Sequence, residues 1–196
     1  GRRLAHAAAE SEEWHRNQSP ALPKSWLGQQ KKRISTINSD WKLRGQGQLG
    51  VLESENQSST VIVANRTFTA LAAGMGNAAW ESIQERRFRF QWADRGVGET
   101  IVEMTNDPRE IPAPEKSITS WDDQAGLMCD DDRLFHRARH EFDGVWTVEG
   151  NRTMMLSRDC ILRFENLATS YLSSNVRSTD SRTTWTGVES HEQVVL

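Results

Sequence analysis

The feature that most constrains this chain is an alternation. Across residues 41–52 the odd positions carry Trp41, Leu43, Gly45, Gly47, Leu49 and Val51, while the even ones include Lys42, Arg44, Gln46 and Gln48. A period of two sends successive side chains to opposite faces of an extended backbone, so the segment reads as a half-buried strand. Gly45 and Gly47 fall on the inward face, where glycine marks a bend or a close backbone approach. A long first strand bent by glycines is what a small closed barrel requires.

Further strands are expected at short intervals: 60–69, 87–91, 100–104, 134–138, 145–148, 153–156, 161–165, 169–177 and 184–192. In 87–91 the alternation is clean, with Phe88, Phe90 and Trp92 on one face and Arg87, Arg89 and Gln91 on the other. Helical periodicity is nearly absent after residue 30. The expectation is an all-β fold, an antiparallel sandwich or up-and-down barrel of roughly eight to ten strands. A short helix is expected over 1–16, followed by a turn-rich linker with Pro20 and Pro23. This divides the chain into an N-terminal extension, 1–24, and a barrel, 25–196. The Pro-rich excursion 106–132 is long for a loop and is expected to cover one end of the fold.

Composition narrows the function classes. The chain has 196 residues, the size of one domain, and a formal net charge of −3. That balance argues against a general nucleic-acid binder, which needs a basic surface to displace counterions from phosphate. No run of 18 apolar residues is present, so no helix is expected to cross a membrane. Residues 1–10 have a basic start but no apolar signal-peptide core, and the chain is read as a mature or trimmed product. Eight Trp against one Tyr suit either a large core or a flat apolar ligand. Cys129 and Cys160 fit no metal or redox spacing, and are read as small buried apolar residues in preference to a disulfide. Four Asn-x-Ser/Thr sequences, at Asn17, Asn56, Asn65 and Asn151, keep a secreted protein open as an alternative.

At its two ends the chain resembles a known family. Arg177, the polar turn after it, Trp185 and a closing segment with Glu192 resemble the last hairpin of a lipocalin-like (calycin) family of cyanobacterial, algal and plant proteins, related to the S-type phycobiliprotein (bilin) lyases. Ser25-Trp26-Leu27-Gly28 and Asp40-Trp41 resemble the start of that domain, and Asp143-Gly144 its acidic-Gly turn. The resemblance implies an open-ended lipocalin-like barrel and a photosynthetic source, with a soluble or peripheral place in a chloroplast or at a cyanobacterial thylakoid.

Catalytic constellations are not evident. There is no phosphate-binding Gly loop, Gly-x-Ser-x-Gly or His-Glu-x-x-His. His136 and His140 share a face if the segment is a strand, but lie ~13 Å apart, too far for one ion. Asp122-Asp123 and the run Asp130 to Asp132 read as solvated turns, and Lys31 to Arg33 as a solvated face. No metal and no catalytic residue is expected. Two groups are candidate ligand contacts: Arg89, Phe90 and Trp92 on one strand, and Arg177, Trp185 and Glu192 on the closing hairpin. Their guanidinium forks suit the propionates of a tetrapyrrole. The expected function is a non-catalytic barrel serving a photosynthetic pigment–protein complex as peripheral subunit or assembly factor. The alternative is a pigment-binding chaperone or lyase-like protein that carries a tetrapyrrole or other hydrophobic molecule to a protein partner.

Overall fold

A computed structural model describes residues 1–23, 29–110, 112–117 and 137–176, and beyond Thr169 only the backbone. The fold it describes is mixed α and β. Helices α1 (Arg2–Gln18) and α2 (Gln30–Arg44) precede strands β1 (Gln48–Ser54) and β2 (Ser58–Ala64). Helix α3 (Thr69–Gln84) follows, then β3 (Phe88–Asp94), β4 (Glu99–Asn106), β5 (Ala138–Phe142), β6 (Val145–Val148), β7 (Asn151–Thr153) and α4 (Arg158–Val176). The strands form two open antiparallel sheets, one in the order β1-β2-β4-β3 and one β5-β6-β7. The all-β barrel expected from the sequence is therefore overturned: neither sheet closes.

The errors have local causes. Trp41 and Leu43 belong to α2, whose core positions Ile37 and Trp41 are four apart and both fully buried. Gly45 ends that helix at φ 70°, where its lack of a Cβ admits the left-handed conformation, and the Gln46 N–H closes back on the Trp41 carbonyl at 3.0 Å. The glycine read as a strand bend is a helix cap. Residues 161–165 and most of 169–177, expected as strands, lie on α4. That helix starts at Ser157, whose hydroxyl accepts from the Cys160 N–H at 3.2 Å. The strand expected over 184–192 lies outside the described residues. Strands were rightly expected around β2, β3, β4 and β6.

Helix α3 explains the architecture. Twelve of its residues are buried, from Ala70 through Trp80 and at Ile83, so it has almost no polar face. A helix apolar all round must be covered on both sides. A Cβ at Gly76 would touch Val61, Val63 and Val102 of the sheet, while one at Gly74 would overlap the Ala5 carbonyl oxygen of α1. Positions two apart on a helix, as Gly74 and Gly76 are, point about 200° apart, so sheet and α1 lie on opposite sides of α3. The layers run sheet, α3, α1, with α4 packed against α1. Ala5, Ala7 and Ala8 are at most 1 % exposed, so α1 is part of the core, not an extension outside it.

Candidate functional site

The register of the larger sheet sorts its side chains. Leu49, Val61, Val63, Val102, Met104 and Phe88 face α3 and are buried. The outer face carries three rows across the strands: Gly50, Ile62, Ile101 and Ala93; then Thr60, Glu103 and Gln91; then Ser58, Thr105 and Arg89. Ile62 and Ile101 are half-buried, while Glu103, Thr105, Arg89 and Gln91 are exposed. Among the described residues no helix packs on this face: α3 lies on the inner side, and α2 runs beside β1.

A shallow groove of about 610 Å3 opens where the start of β2, the end of β4 and the start of β3 lie together. Ser58, Thr60, Arg89, Gln91, Glu103 and Thr105 line it, and Phe90 borders it. Its polar groups are tied down. Gln91 Nε2 donates to Glu103 at 2.7 Å, and Arg89 Nε donates to Asp107 at 3.1 Å. Asp107 also accepts from the Arg109 side chain and backbone N–H. The Arg109 guanidinium, with Arg89 beside it, holds the Asp107 carboxyl well below the usual carboxylate range.

Of the sequence candidates, Arg89 projects into this outer groove. Phe90 and Trp92 point to the inner side, their rings 5.8 Å apart, with His6 of α1 edge-on to Phe90. Successive residues of one strand face opposite ways, so Arg89 and the two aromatic rings sit on opposite faces of the sheet. Arg177, Trp185 and Glu192 lie outside the described residues, as do Cys129, His136 and the two acidic runs. His140 is on β5, with its ring 5.5 Å from that of Trp146.

Two buried clusters escaped the sequence reading. In the first, Glu12 of α1 is 2 % exposed and accepts from Trp41 Nε1 at 3.0 Å and from Arg44 at 3.0 and 3.2 Å. Arg16 lies 3.2 Å away from the same carboxylate, and both arginines also hold Asp40. Burial alone would raise the Asp40 pKa. Its hydrogen bond with His15 and the two guanidiniums outweigh that, and hold it well below the usual carboxylate range. The acceptor positions of Glu12 are spent on these donors, so it acts as a clamp between α1 and α2. A cavity of about 20 Å3 beside it, bordered by Ser11, Gln46, Ser157 and Cys160, has room for about one water. Cys160 is a free, buried thiol pushed up to about 12 by burial and by Asp159. A thiol so far above neutrality is a poor nucleophile.

In the second cluster, Arg152 of β7 meets only backbone oxygens. Its guanidinium donates to the carbonyls of Gly45, Asn65, Gly144, Trp146 and Thr153, at 2.6 to 3.3 Å. Burial holds its pKa below the ordinary arginine value. One side chain thus fastens the small sheet to the large one, at the end opposite the groove. Arg33, expected on a solvated face, is 3 % exposed and donates to Pro23 and Ile83 carbonyls and to Glu85. An arginine fixed this way was not visible from a three-residue charge run, because its partners lie ten to fifty-two positions away.

Among the described residues no three His, Cys, Asp or Glu side chains converge as a metal site. No helix there is long and apolar enough to cross a membrane. No protein-family model matches the chain, and a search of curated proteins finds no match.

Proposed function

We propose that this chain is a docking protein, a peripheral subunit or assembly factor, that engages a partner protein through the outer face of its four-stranded sheet. One observation carries the reading. The face presents Ile62 and Ile101 side by side, flanked by a polar groove, on a rigid sheet backed by α3. An apolar centre within a polar surround is the usual anatomy of a protein interface. The partner that the family resemblance implies, a photosynthetic pigment–protein complex, is the first to test. The pigment-carrying alternative loses the enclosed barrel on which it depended.

The test is co-purification of the tagged chain from its source, in parallel with Ile101→Arg. The partner is expected to be recovered with the original chain and lost with the variant, both having the same thermal transition. Equal recovery with the variant removes the sheet face from the interface. An absorbance scan of the same preparation is expected to be colourless for the chain itself. A pigment band that follows the chain through a denaturing gel would overturn the docking role.

A further inference from the structure

We infer that the edge of β3, open among the described residues, pairs with β3 of a second copy, joining two four-stranded sheets into one of eight strands. The two edges of the sheet are treated differently. At β1, the Asn38 side chain bonds both backbone groups of Leu49, and a bulge falls between Val51 and Glu53. Bulges and covered backbone are the devices that stop an edge from recruiting another strand. β3 has neither bulge nor proline and runs in unbroken register against β4.

The hydrogen-bond parity identifies what is open. Asp107 N–H donates to the Arg87 carbonyl and Arg95 N–H to the Glu99 carbonyl, so the odd residues of β3 bond to β4. The even residues point their backbone groups outward. The N–H of Phe88 is taken by Glu81 Oε1 at 2.8 Å. The N–H and C=O groups of Phe90 and Trp92 have no partner among the described residues.

A second β3, antiparallel and two-fold symmetric about Gln91, satisfies these four groups in one step. Phe90 of each copy then faces Trp92 of the other and exchanges both bonds with it. On the inner side this adds an aromatic cross-strand pair on each side of the axis. On the outer side Gln91 meets Gln91, and Arg89 meets Ala93. Within Phe88–Asp94 no like charges are opposed; just beyond, Arg87 of one copy faces Arg95 of the other, its charge already met by Glu13 and Glu81, and Asp94 lies diagonal to Arg86. The inference rests on the backbone edge of β3 and the docking reading on Ile62 and Ile101, while Gln91 and Arg89 border both.

Sedimentation up to about 100 μM reads the association directly, since dimer stability depends on protomer concentration. A two-fold at Gln91 sets its two Cα atoms about 4.5 Å apart, within disulfide reach. Gln91→Cys is expected to form a disulfide-linked dimer on mild oxidation, absent from the unsubstituted chain treated alike. Gln91→Lys is expected to weaken association at least about tenfold by opposing two cations, with an unchanged circular dichroism spectrum. A monomer throughout the range overturns the inference. So does a dimer that Gln91→Lys leaves intact and Gln91→Cys fails to link.

Discussion

The side-chain amide of Asn38 takes the place of a neighbouring strand at Leu49. Its Oδ1 accepts from the Leu49 N–H at 2.7 Å, and its Nδ2 donates to the Leu49 carbonyl at 3.0 Å. Both bonds form because α2 runs alongside β1 with Ile37 and Trp41 anchored in the core. Asn38→Ala leaves two backbone groups of a buried residue without partners and is expected to cost about 1–3 kcal/mol. Urea unfolding measures this as a lower midpoint with an unchanged slope. An unchanged midpoint would mean that water replaces the amide at no cost, and that the edge is more open than described.

The crossing of α1 over α3 is set by Gly74. A methyl there collides with the Ala5 backbone, whereas one at Gly76 meets only side-chain methyls of Val63, Val102 and Val61, the nearest being Val63 Cγ2 at 3.0 Å. Gly74→Ala is expected to destabilise by about 1–3 kcal/mol through the overlap, and Gly76→Ala by clearly less. Paired thermal melts compare them. Equal losses would place α1 further from α3 than the packing has it.

Asp40 is expected to contribute to acid sensitivity, alongside Asp107 and Asp159, whose carboxyls are also held low. The folded pKa of Asp40 lies below the ordinary carboxylate value, so its contribution is present above about pH 4 and is lost as pH falls further. Asp40→Asn is expected to lower stability at pH 7 and to flatten the decline below pH 4. A variant whose acid decline runs parallel to that of the original chain would show that other carboxylates govern it.

At the alkaline end the buried thiol takes over. Cys160 is raised from 9.0 to about 12, so the stability it contributes is complete below pH 9 and drains away as pH rises from 9 towards 12. Cys160→Ala is expected to reduce the slope of stability against pH in that window. In the native protein at pH 8, Cys160 is expected to resist alkylation, which peptide mass spectrometry after iodoacetamide would check.

The strands of the large sheet were legible where one face meets the core and the other meets solvent. Phe88, Phe90 and Trp92 against Arg89 and Gln91 is such a case. Of the helices, α1 was legible in its alanine run, and α3 was harder because its signal is not the amphipathic kind. α3 is covered on both sides, which erases the polar stripe that reveals a helix, and its glycines mark close packing instead of a break. In α4, Cys160, Arg163 and Leu167 do follow helical spacing, and Ser157 stands three residues before Cys160 as a cap. The alternation over 41–52 joined the end of a helix to the start of a strand, with Gly45 at the join. Arg89 was singled out, but the rest of the outer groove needs strand order, which no local pattern carries: β2 and β4 are neighbours across an intervening helix and strand.

The most direct test of the docking face is site-specific photocrosslinking in the source cells. A benzoylphenylalanine replaces Thr60, in the middle of the outer face, or Leu43, an exposed residue of α2 on another surface. The face is predicted to give one dominant crosslinked protein from position 60 and none from position 43, with the position 60 product lost on adding Ile101→Arg. Crosslinking from position 43 alone, or from position 60 undiminished by Ile101→Arg, would contradict it.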